Sequence, residues 1–250
     1  MTRFHIVAMV AVIYGVAALA LHNFILLVGV IFALLIVMGF GVAIPQLQMF
    51  GNFICRGPGS RLCVALTFDD GPDPRSTPKL LELLRAEKIP AAFFCVGKNV
   101  AANPELAARI VREGYLLENH SYAHSNFTNF YSTTRLQDEM MQTQAIIKTT
   151  SGVAPKFFRP PIGLSNPRTF RAARNLDLKV IGWTIRSLDT VIASPEKVVE
   201  RITRGLEPGA IILLHDGNIP AEKLVATVKS LLDTLRGLGY EIVRLDEMLK

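Results

Sequence analysis

Cysteine and histidine are both scarce in this chain of 250 residues, with three and five copies respectively. The three cysteines, Cys55, Cys63 and Cys95, form no Cys-x-x-Cys pair, so the sequence indicates neither a disulfide framework nor a metal site built on sulfur. The formal net charge is +6, yet no run of Lys and Arg with interleaved aromatic residues occurs. That pattern argues against binding to nucleic acid, and we expect the dispersed basic residues to meet anionic membrane lipids instead.

Charged side chains are absent from Phe4 to Ile44. A single helix of that length would extend roughly 60 Å, whereas the hydrocarbon core of a bilayer is about 30 Å thick. The sequence therefore predicts a transmembrane helical hairpin over residues 1–44, with helices at Phe4–Leu21 and Phe24–Ile44 and a turn at His22-Asn23. The alternative is a signal peptide cleaved after Ala18-Leu19-Ala20, although Phe24–Ile44 would still span the bilayer.

The rest of the chain divides into a short linker and one α/β domain. Residues 45–61 hold two prolines and three glycines, which interrupt helices and strands alike, and they are predicted to be a linker. Residues 62–250 alternate short apolar runs with segments of helical periodicity, which is typical of parallel strands joined by helices. Seven strands favour a closed or nearly closed barrel of the distorted (β/α)7 type. They are predicted at Leu62–Phe68, Ala91–Val96, Leu116–Glu118, Phe157–Phe158, Lys179–Trp183, Ala210–Leu214 and Tyr240–Val243.

Residues capable of chemistry follow five of these strands. In barrels of this kind the working side chains project from the carboxyl ends of the strands into one shared mouth. The five blocks also contain three of the five histidines in the chain. They hold Asp69 and Asp70, then His120 and His124, then Arg159, Asp189 and His215. We therefore expect one reaction centre.

The two adjacent carboxylates indicate a metal ion. Asp69 and Asp70 would repel each other in a partly dry pocket unless a cation compensated them. His120 and His124 are four residues apart, so on a helical turn their rings would face the same side, and with one of the carboxylates they make a set of two histidines and one carboxylate. Such a set leaves coordination positions open for water and substrate.

Hydrolysis of an acyl group would also need a base and an acid. The carboxylate that does not bind metal could be the base, and His215 could be the acid. Arg159 could hold the base ionised through a bidentate contact, and Asp189 could set the tautomer and pKa of His215. A structural ion pair is the alternative role for Arg159, and a turn or helix-capping role is the alternative for Asp189.

The five blocks resemble the motifs of the polysaccharide deacetylase family, the NodB-homology domain of carbohydrate esterase family 4, from about Leu62 to the end of the chain. The blocks Thr-Phe-Asp-Asp-Gly-Pro, His-Ser-Tyr-Ala-His, Arg-Pro-Pro-Ile-Gly and Leu-Leu-His carry the likeness. The resemblance implies that Asp69 is the general base, that Asp70 joins the histidines as a ligand, and that Arg159 holds the base. It also implies that Pro161, Ile162 and Leu213 bind substrate, with the Ile162 N–H facing the oxyanion and Leu213 lining the acetyl pocket. The implied cofactor is a divalent metal ion, zinc foremost, with cobalt, nickel or manganese as alternatives.

Two departures from the family pattern concern the substrate. Ile162 stands where many members have an aromatic residue, and Thr190 follows Asp189 where tryptophan is common. Both changes remove flat aromatic surface on which sugar rings are commonly held. The leading hypothesis is a membrane-anchored hydrolase that removes an N-acetyl group from an amino sugar in a glycan or a lipid-linked saccharide. A carbohydrate O-acetyl esterase and a catalytically silent glycan-binding protein are the alternatives, and no protein partner is indicated.

Basic residues lie at both ends of the hairpin. Arg3 precedes the first predicted span, Phe4–Leu21, and Arg56 and Arg61 follow the second. By the positive-inside rule these residues lie on the cytoplasmic side of the membrane. We therefore expect an integral multi-pass protein of a bacterial inner or plasma membrane with its catalytic domain facing the cytoplasm. The family resemblance argues the other way, because many polysaccharide deacetylases act on cell-wall or extracellular glycans.

Overall fold

A computed structural model describes residues 2–250 and shows an α/β fold preceded by two apolar helices. The strands are β1 Cys63–Asp69, β2 Ala92–Cys95, β3 Leu116–Asn119, β4 Phe157–Phe158, β5 Lys179–Val180, β6 Ile185–Arg186, β7 Ala210–His215 and β8 Glu241–Ile242. The helices are α1 Arg3–Ala20, α2 Phe24–Ala43, α3 Thr77–Ala86, α4 Gly97–Ala102, α5 Pro104–Arg112, α6 Thr133–Ser151, α7 Pro167–Asn175, α8 Pro195–Arg204, α9 Ala221–Gly237 and α10 Leu245–Met248. Short 3-10 helices occupy Pro45–Leu47, Thr128–Phe130 and Pro161–Gly163.

The two N-terminal helices pack against each other as a hairpin. The turn between them is stabilised by Asn23, whose side-chain oxygen accepts a hydrogen bond from the Leu26 N–H at 2.9 Å and so caps α2. Both helices are long and apolar enough to cross a membrane, and few of their residues are buried within the protein. The hairpin that the uncharged run predicts is therefore present, while the crossing itself rests on length and composition.

The strands form one curled parallel sheet in the order β5-β4-β3-β2-β1-β7-β6, with β8 pairing with the start of β1. The predicted α/β barrel-type fold is confirmed. One element differs, because the predicted strand Lys179–Trp183 ends at Val180, and Ile185–Arg186 forms a separate strand on β7. The two edges of the sheet are thus consecutive in the chain, and residues 181–184 connect them across the barrel.

Residues 45–61, predicted to be a linker, pack against the connection between the two edges of the sheet. Ile54 donates its N–H to the Val180 carbonyl at 2.9 Å and its own carbonyl accepts from Gly182 at 3.0 Å, so the segment adds a short pairing beside β5. Phe53 and Cys55 are buried in an apolar cluster with Phe158 and Val180. The segment therefore ties the hairpin to the barrel. The division into hairpin 1–44, linker 45–61 and domain 62–250 stays a prediction.

Alternation along β1 and β7 decides which side chains enter the barrel. Successive residues of a strand point to opposite faces. Val64, Leu66 and Phe68 pack outward in the large core beneath the helices, and Ile212 and Leu214 of β7 do the same. The residues between them, which include Thr67, Asp69, Leu213 and His215, therefore face the interior.

Candidate active site

The register of the sheet brings Asp69 and His215 side by side. Asp69 of β1 pairs with His215 of β7, and Thr67 pairs with Leu213 one inward position below. Both strands end at this point, so the backbone beyond them is free to turn away while the two side chains stay over the barrel. The sequence placed these residues at strand ends, and the register adds that they are direct neighbours.

Asp69 is held by a buried arginine. Arg159 is fully buried, and its Nη1 donates to Asp69 Oδ1 at 2.6 Å and to Thr67 Oγ1 at 2.9 Å. Its Nη2 donates to the Gly182 carbonyl at 2.9 Å, and the guanidinium lies 4.1 Å from the centre of the Phe94 ring. The expected bidentate contact is wrong, because only one arginine nitrogen reaches the carboxylate. Nη1 also donates to Thr67 and Nη2 donates to the Gly182 carbonyl, and these bonds hold the arginine and so orient Asp69. The buried Nε has no hydrogen-bond partner among residues 2–250.

Asp70, His120 and His124 converge on one point beside Asp69. Nε2 of His124 lies 3.2 Å from Asp70 Oδ1, and Nε2 of His120 lies 3.5 Å from the same oxygen. The expected helical turn between the histidines is wrong. Residues 120–124 form an irregular loop in which Ser121 has φ 61° and His124 has φ 49°, and this left-handed backbone brings the two ring centres within 4.9 Å.

The chemistry of this cluster fits a divalent metal ion. One ligand atom from each of Asp70, His120 and His124 lies within 4.8 Å of the others. His120 Nδ1 is 2.7 Å from the Arg159 carbonyl, to which it can donate only in the tautomer that leaves Nε2 free to bind metal. Burial lowers the pKa of His124, which favours the neutral imidazole that a metal requires. Burial opposes ionisation of Asp70, but the neighbouring imidazoles, His120 foremost, outweigh it and hold the pKa of Asp70 well below its usual range.

His215 forms a dyad with the buried Asp189. Its Nδ1 lies 2.8 Å from Asp189 Oδ1, and its backbone N–H donates to the other carboxylate oxygen at 2.8 Å. Ser187 donates its hydroxyl to Asp189 at 2.8 Å, and Lys223 donates to the Asp189 carbonyl at 2.5 Å. Burial alone would lower the pKa of His215, but the Asp189 hydrogen bond and charge outweigh it and raise that pKa above 6.5. The imidazole is therefore oriented with Nε2 directed away from Asp189.

Hydrogen bonds connect the loop that follows β1, which begins at Asp70, to the residue that follows β7. Asp216 donates its backbone N–H to the Asp69 carbonyl at 3.0 Å, and its carboxylate accepts from the Thr77 hydroxyl at 2.6 Å. Burial raises the pKa of Asp216 to about 7. These bonds link the loop that carries Asp70 to the strand that carries His215. They therefore hold the proposed metal ligand Asp70 at a fixed position relative to His215.

A cavity of about 160 Å³ opens onto these groups. Ile162 and Leu213 line it as the resemblance implied, whereas Pro161 is buried and is not among the lining residues. Three further lining residues, Gly163, Trp183 and Arg186, are not among the site residues that the sequence predicted. Trp183 is the only tryptophan in the chain, and this rarity is the one feature of the sequence that could have marked it as a site residue. Trp183 supplies aromatic surface at a site that lacks the aromatic residues common at positions 162 and 190.

Gly163 packs closely against the indole ring of Trp183. Its φ is +75°, and a Cβ added there would overlap the indole ring. We expect Gly163→Ala to lower the free energy of unfolding by about 1–2 kcal/mol through left-handed strain and by about 1–3 kcal/mol more through overpacking. Gly152→Ala is the matched control, because Gly152 has φ +77° with open space around its Cβ direction, so it isolates the strain. Urea unfolding of both variants measures the difference. Equal losses of unfolding free energy in the two variants would mean that Trp183 moves aside without a measurable free-energy cost.

Comparison with known proteins places this fold and site in a family. The sequence profile described as Polysaccharide deacetylase matches residues 56–181. A peptidoglycan-N-acetylglucosamine deacetylase from Bacillus cereus is 31% identical over 207 residues, which are 82% of this chain and 96% of that protein. The chain belongs to the polysaccharide deacetylase family. The predicted enzyme class, a carbohydrate deacetylase that hydrolyses carbon–nitrogen bonds other than peptide bonds, is confirmed at the level of this family.

Other family members share the fold closely. A chitooligosaccharide deacetylase from Bradyrhizobium is 33% identical over 181 residues, which are 72% of this chain and 82% of that protein. The crystal structure of the Bc1960 peptidoglycan N-acetylglucosamine deacetylase superposes with a TM-score of 0.75 at 29% identity, covering 79% of this chain and 92% of that one. BA3943 of Bacillus anthracis, described as a pseudoenzyme, superposes with a TM-score of 0.74 at 26% identity, covering 82% of this chain and 71% of that one. Membership of the family therefore does not by itself establish activity, which has to be argued from the site.

Proposed function

We propose that this protein is a membrane-anchored, metal-dependent deacetylase that removes the N-acetyl group from an amino sugar. The observation that carries the proposal is the convergence of three groups on one small cavity. These are the cluster of Asp70, His120 and His124, the Asp69–Arg159 pair and the His215–Asp189 dyad. A silent glycan-binding protein would have no need to keep a ligand set, a buried base and an oriented acid together.

The proposed metal ligands are Asp70, His120 and His124. A divalent ion bound there, with zinc as the leading candidate, would polarise the acetyl carbonyl and increase the acidity of water. Asp69 then takes up the proton that the water loses as its oxygen bonds to the acyl carbon. Arg159 orients that carboxylate through the hydrogen bond that its Nη1 donates to Asp69 Oδ1 at 2.6 Å.

His215 is the proposed acid. Breaking the C–N bond leaves a basic amine nitrogen that needs a proton, and the His215 ring can supply it once Asp189 has fixed Nδ1. Asp69 and His215 are neighbours across β1 and β7, so both proton transfers occur at one acyl group. The products are acetate and the free amino sugar. Leu213 and Trp183 line the cavity and would exclude water from the acetyl methyl.

The alkaline side of the pH profile should depend on Asp189. His215 acts as an acid only while protonated, so activity persists to a pH above the ordinary value of 6.5 and is lost as the pH rises through the raised pKa. In Asp189→Asn, burial continues to lower this pKa and the carboxylate no longer opposes it. We therefore expect the alkaline limb of kcat/KM to move to lower pH. An unmoved limb, measured with the same substrate and metal, would show that another group sets it.

The connection of the hairpin to the domain favours a lipid-linked saccharide as the substrate. Gln46, just after α2, donates its side-chain amide to the Trp183 carbonyl at 2.8 Å. Arg3, at the start of α1, donates to the Leu47 carbonyl at 2.9 Å. Both ends of the hairpin therefore meet beside a wall of the cavity. If α1 and α2 cross the bilayer, a sugar carried on a membrane lipid lies within reach of the site.

Membrane topology can be tested by cysteine labelling. By the positive-inside rule we expect Arg3 and the catalytic domain on the cytoplasmic side and only the His22-Asn23 turn outside. After replacement of the native cysteines, Arg3→Cys, Asn23→Cys and Val153→Cys are treated separately in intact cells with a membrane-impermeant thiol reagent. We expect only the Asn23→Cys protein to react. Reaction at Val153→Cys would place the domain outside and favour a cell-wall glycan, and equal behaviour of positions 3 and 23 would contradict the hairpin topology.

Acetate release tests the proposed activity. The purified full-length protein, supplied with divalent metal, is incubated with N-acetylated and O-acetylated sugars in both lipid-linked and soluble polymeric forms. We expect release from the N-acetylated sugars, with the lipid-linked form preferred. Release from O-acetylated sugars alone would identify an esterase, for which an oxygen leaving group needs less help from His215. Release from none of them would support the silent alternative.

A further inference from the structure

Two phenylalanines on a loop beside the catalytic mouth are left in solvent. Phe127 is 70% exposed and Phe130 is 78% exposed, and both follow the metal-binding block that ends at His124. Within residues 62–250 only Val191, on another loop at the mouth, shows a comparable exposed fraction for a large apolar side chain, at 76%. Most other phenylalanines of the domain, such as Phe68, Phe93, Phe94 and Phe158, are fully buried. Aromatic exposure on this scale is typical of an interaction surface.

Hydrogen bonds connect this loop to the end of the hairpin. The Asn166 side chain donates to the carbonyl of Asn129 at 2.7 Å and to its side-chain oxygen at 2.9 Å. The neighbouring residue, Ser165, donates its N–H to the Val42 carbonyl at 3.4 Å. Asn129 lies between the two phenylalanines, next to Phe130 and two residues from Phe127. The loop is therefore held within a few residues of the last turn of α2.

The length of α2 determines the depth of that last turn. Its 20 residues extend about 30 Å at 1.5 Å per residue, which matches the hydrocarbon core of a bilayer. The whole helix is needed for the crossing, so Val42 reaches the boundary between acyl chains and headgroups. Ser165 lies at the same depth because it bonds to Val42. Arg168, which donates to the Asn129 carbonyl at 3.1 Å, is exposed there and can meet lipid phosphates.

We propose that Phe127 and Phe130 insert into the headgroup region of the bilayer that α1 and α2 cross, so that the catalytic mouth opens at the membrane surface. This inference rests on the proposed membrane anchoring and deepens it. The occupant is the lipid surface, because Ser165 and Asn166 connect the aromatic loop to the membrane end of α2, and the exposed Arg168 of α7 lies beside that loop. Phenylalanine is among the apolar residues that interfacial segments bury about 5–10 Å into the boundary between headgroups and acyl chains. The mouth then receives a sugar borne on a lipid in the same leaflet.

Fluorescence quenching by lipids tests this docking directly. Phe127→Cys and Phe130→Cys, each in the full-length chain with the native cysteines replaced, are labelled with an environment-sensitive dye. The proteins are reconstituted into vesicles of phosphatidylcholine and phosphatidylglycerol that carry a nitroxide at the upper end of the acyl chain. Leu238→Cys is the matched control, since Leu238 is 48% exposed and precedes β8 at the end of the barrel opposite the mouth. Leu35→Cys, in the middle of α2, tests the hairpin itself in matching vesicles that carry the nitroxide at the lower end of the acyl chain, near the centre of the bilayer.

We expect strong quenching at positions 127, 130 and 35, and little at position 238. Quenching at 35 without quenching at 127 and 130 would overturn the docking while leaving the anchor in place. Quenching at 127 and 130 without quenching at 35 would support docking and refute the transmembrane hairpin. Equal quenching at 127, 130 and 238 would refute a specific docking face. Because no substrate is present, these results are independent of whether the protein releases acetate.

Discussion

Asp69→Asn and His215→Ala are each expected to slow deacetylation by about 10²–10⁴-fold, because each variant removes a proton transfer from the transition state. Such losses correspond to about 2.7–5.5 kcal/mol of transition-state stabilisation. The measurement is the rate of acetate release at saturating substrate with metal supplied. The asparagine keeps the shape of Asp69 and retains an oxygen that can accept from Arg159, so the fold should persist.

Thermal unfolding of both variants separates chemistry from folding. His22→Ala is a suitable control for the histidine change, since His22 lies at the hairpin turn and far along the chain from the site. It should retain the rate of the unaltered protein. A loss below about tenfold in His215→Ala would mean either that His215 is a spectator or that the natural leaving group is an oxygen.

Metal binding should depend on His124 and much less on Asp69. His124→Ala removes one of the three proposed ligands, and we expect the purified variant to hold almost no divalent ion. Changes outside the ligand set typically weaken metal binding by about 10–100-fold, so a lost ligand should cost more than that. Asp69→Asn should still bind the ion, because Asp69 is not one of the three proposed ligands. In the unaltered chain its Oδ1 accepts a hydrogen bond from Arg159 Nη1 at 2.6 Å. Metal content measured side by side tests this division between the two adjacent carboxylates.

A thermal shift gives a second readout that does not require activity. A ligand present at about 100 times its Kd stabilises the folded state by about 2.7 kcal/mol. Zinc added to the chelator-treated protein should therefore raise the Tm of the unaltered chain and of Asp69→Asn, and should leave that of His124→Ala unchanged. Equal loss of the shift in Asp69→Asn and His124→Ala would contradict the proposed roles of Asp69 and Asp70.

Local sequence patterns predicted most of the strands and the candidate residues that follow them. The strand that carries Asp69 is fully buried on both faces, so it appears in the sequence as a short continuous apolar run, and the polar block that follows marks its carboxyl end. The same argument located His120, Arg159 and His215. It could not locate Trp183 as a lining residue, because Trp183 lies between two short strands on opposite edges of the sheet, and that closure is a long-range contact.

The separate tasks proposed for Asp69 and Asp70 depend on backbone geometry. Asp69 continues the inward alternation of β1 and reaches Arg159. Asp70 has φ 74°, a left-handed conformation that redirects its side chain toward His120 and His124. Residue types and spacing alone left the order of the two carboxylates open, and the family resemblance supplied it. The geometry supports Asp69 as the base and Asp70 as the ligand, because the left-handed turn at Asp70 separates the two side chains. Hydrophobic periodicity does not predict such a turn.

By itself the sequence determined the uncharged hairpin, the alternation of strands and helices, and the residues gathered at the strand ends, because these features depend on periodicity and composition over a few turns. Only the tertiary structure decided the neighbours of each side chain. It paired Asp69 with His215, brought Gln46 to Trp183, and held the Phe127–Phe130 loop near the end of α2. Contacts such as these join residues far apart in the chain, so they follow from sheet register and loop conformation, which local patterns leave open.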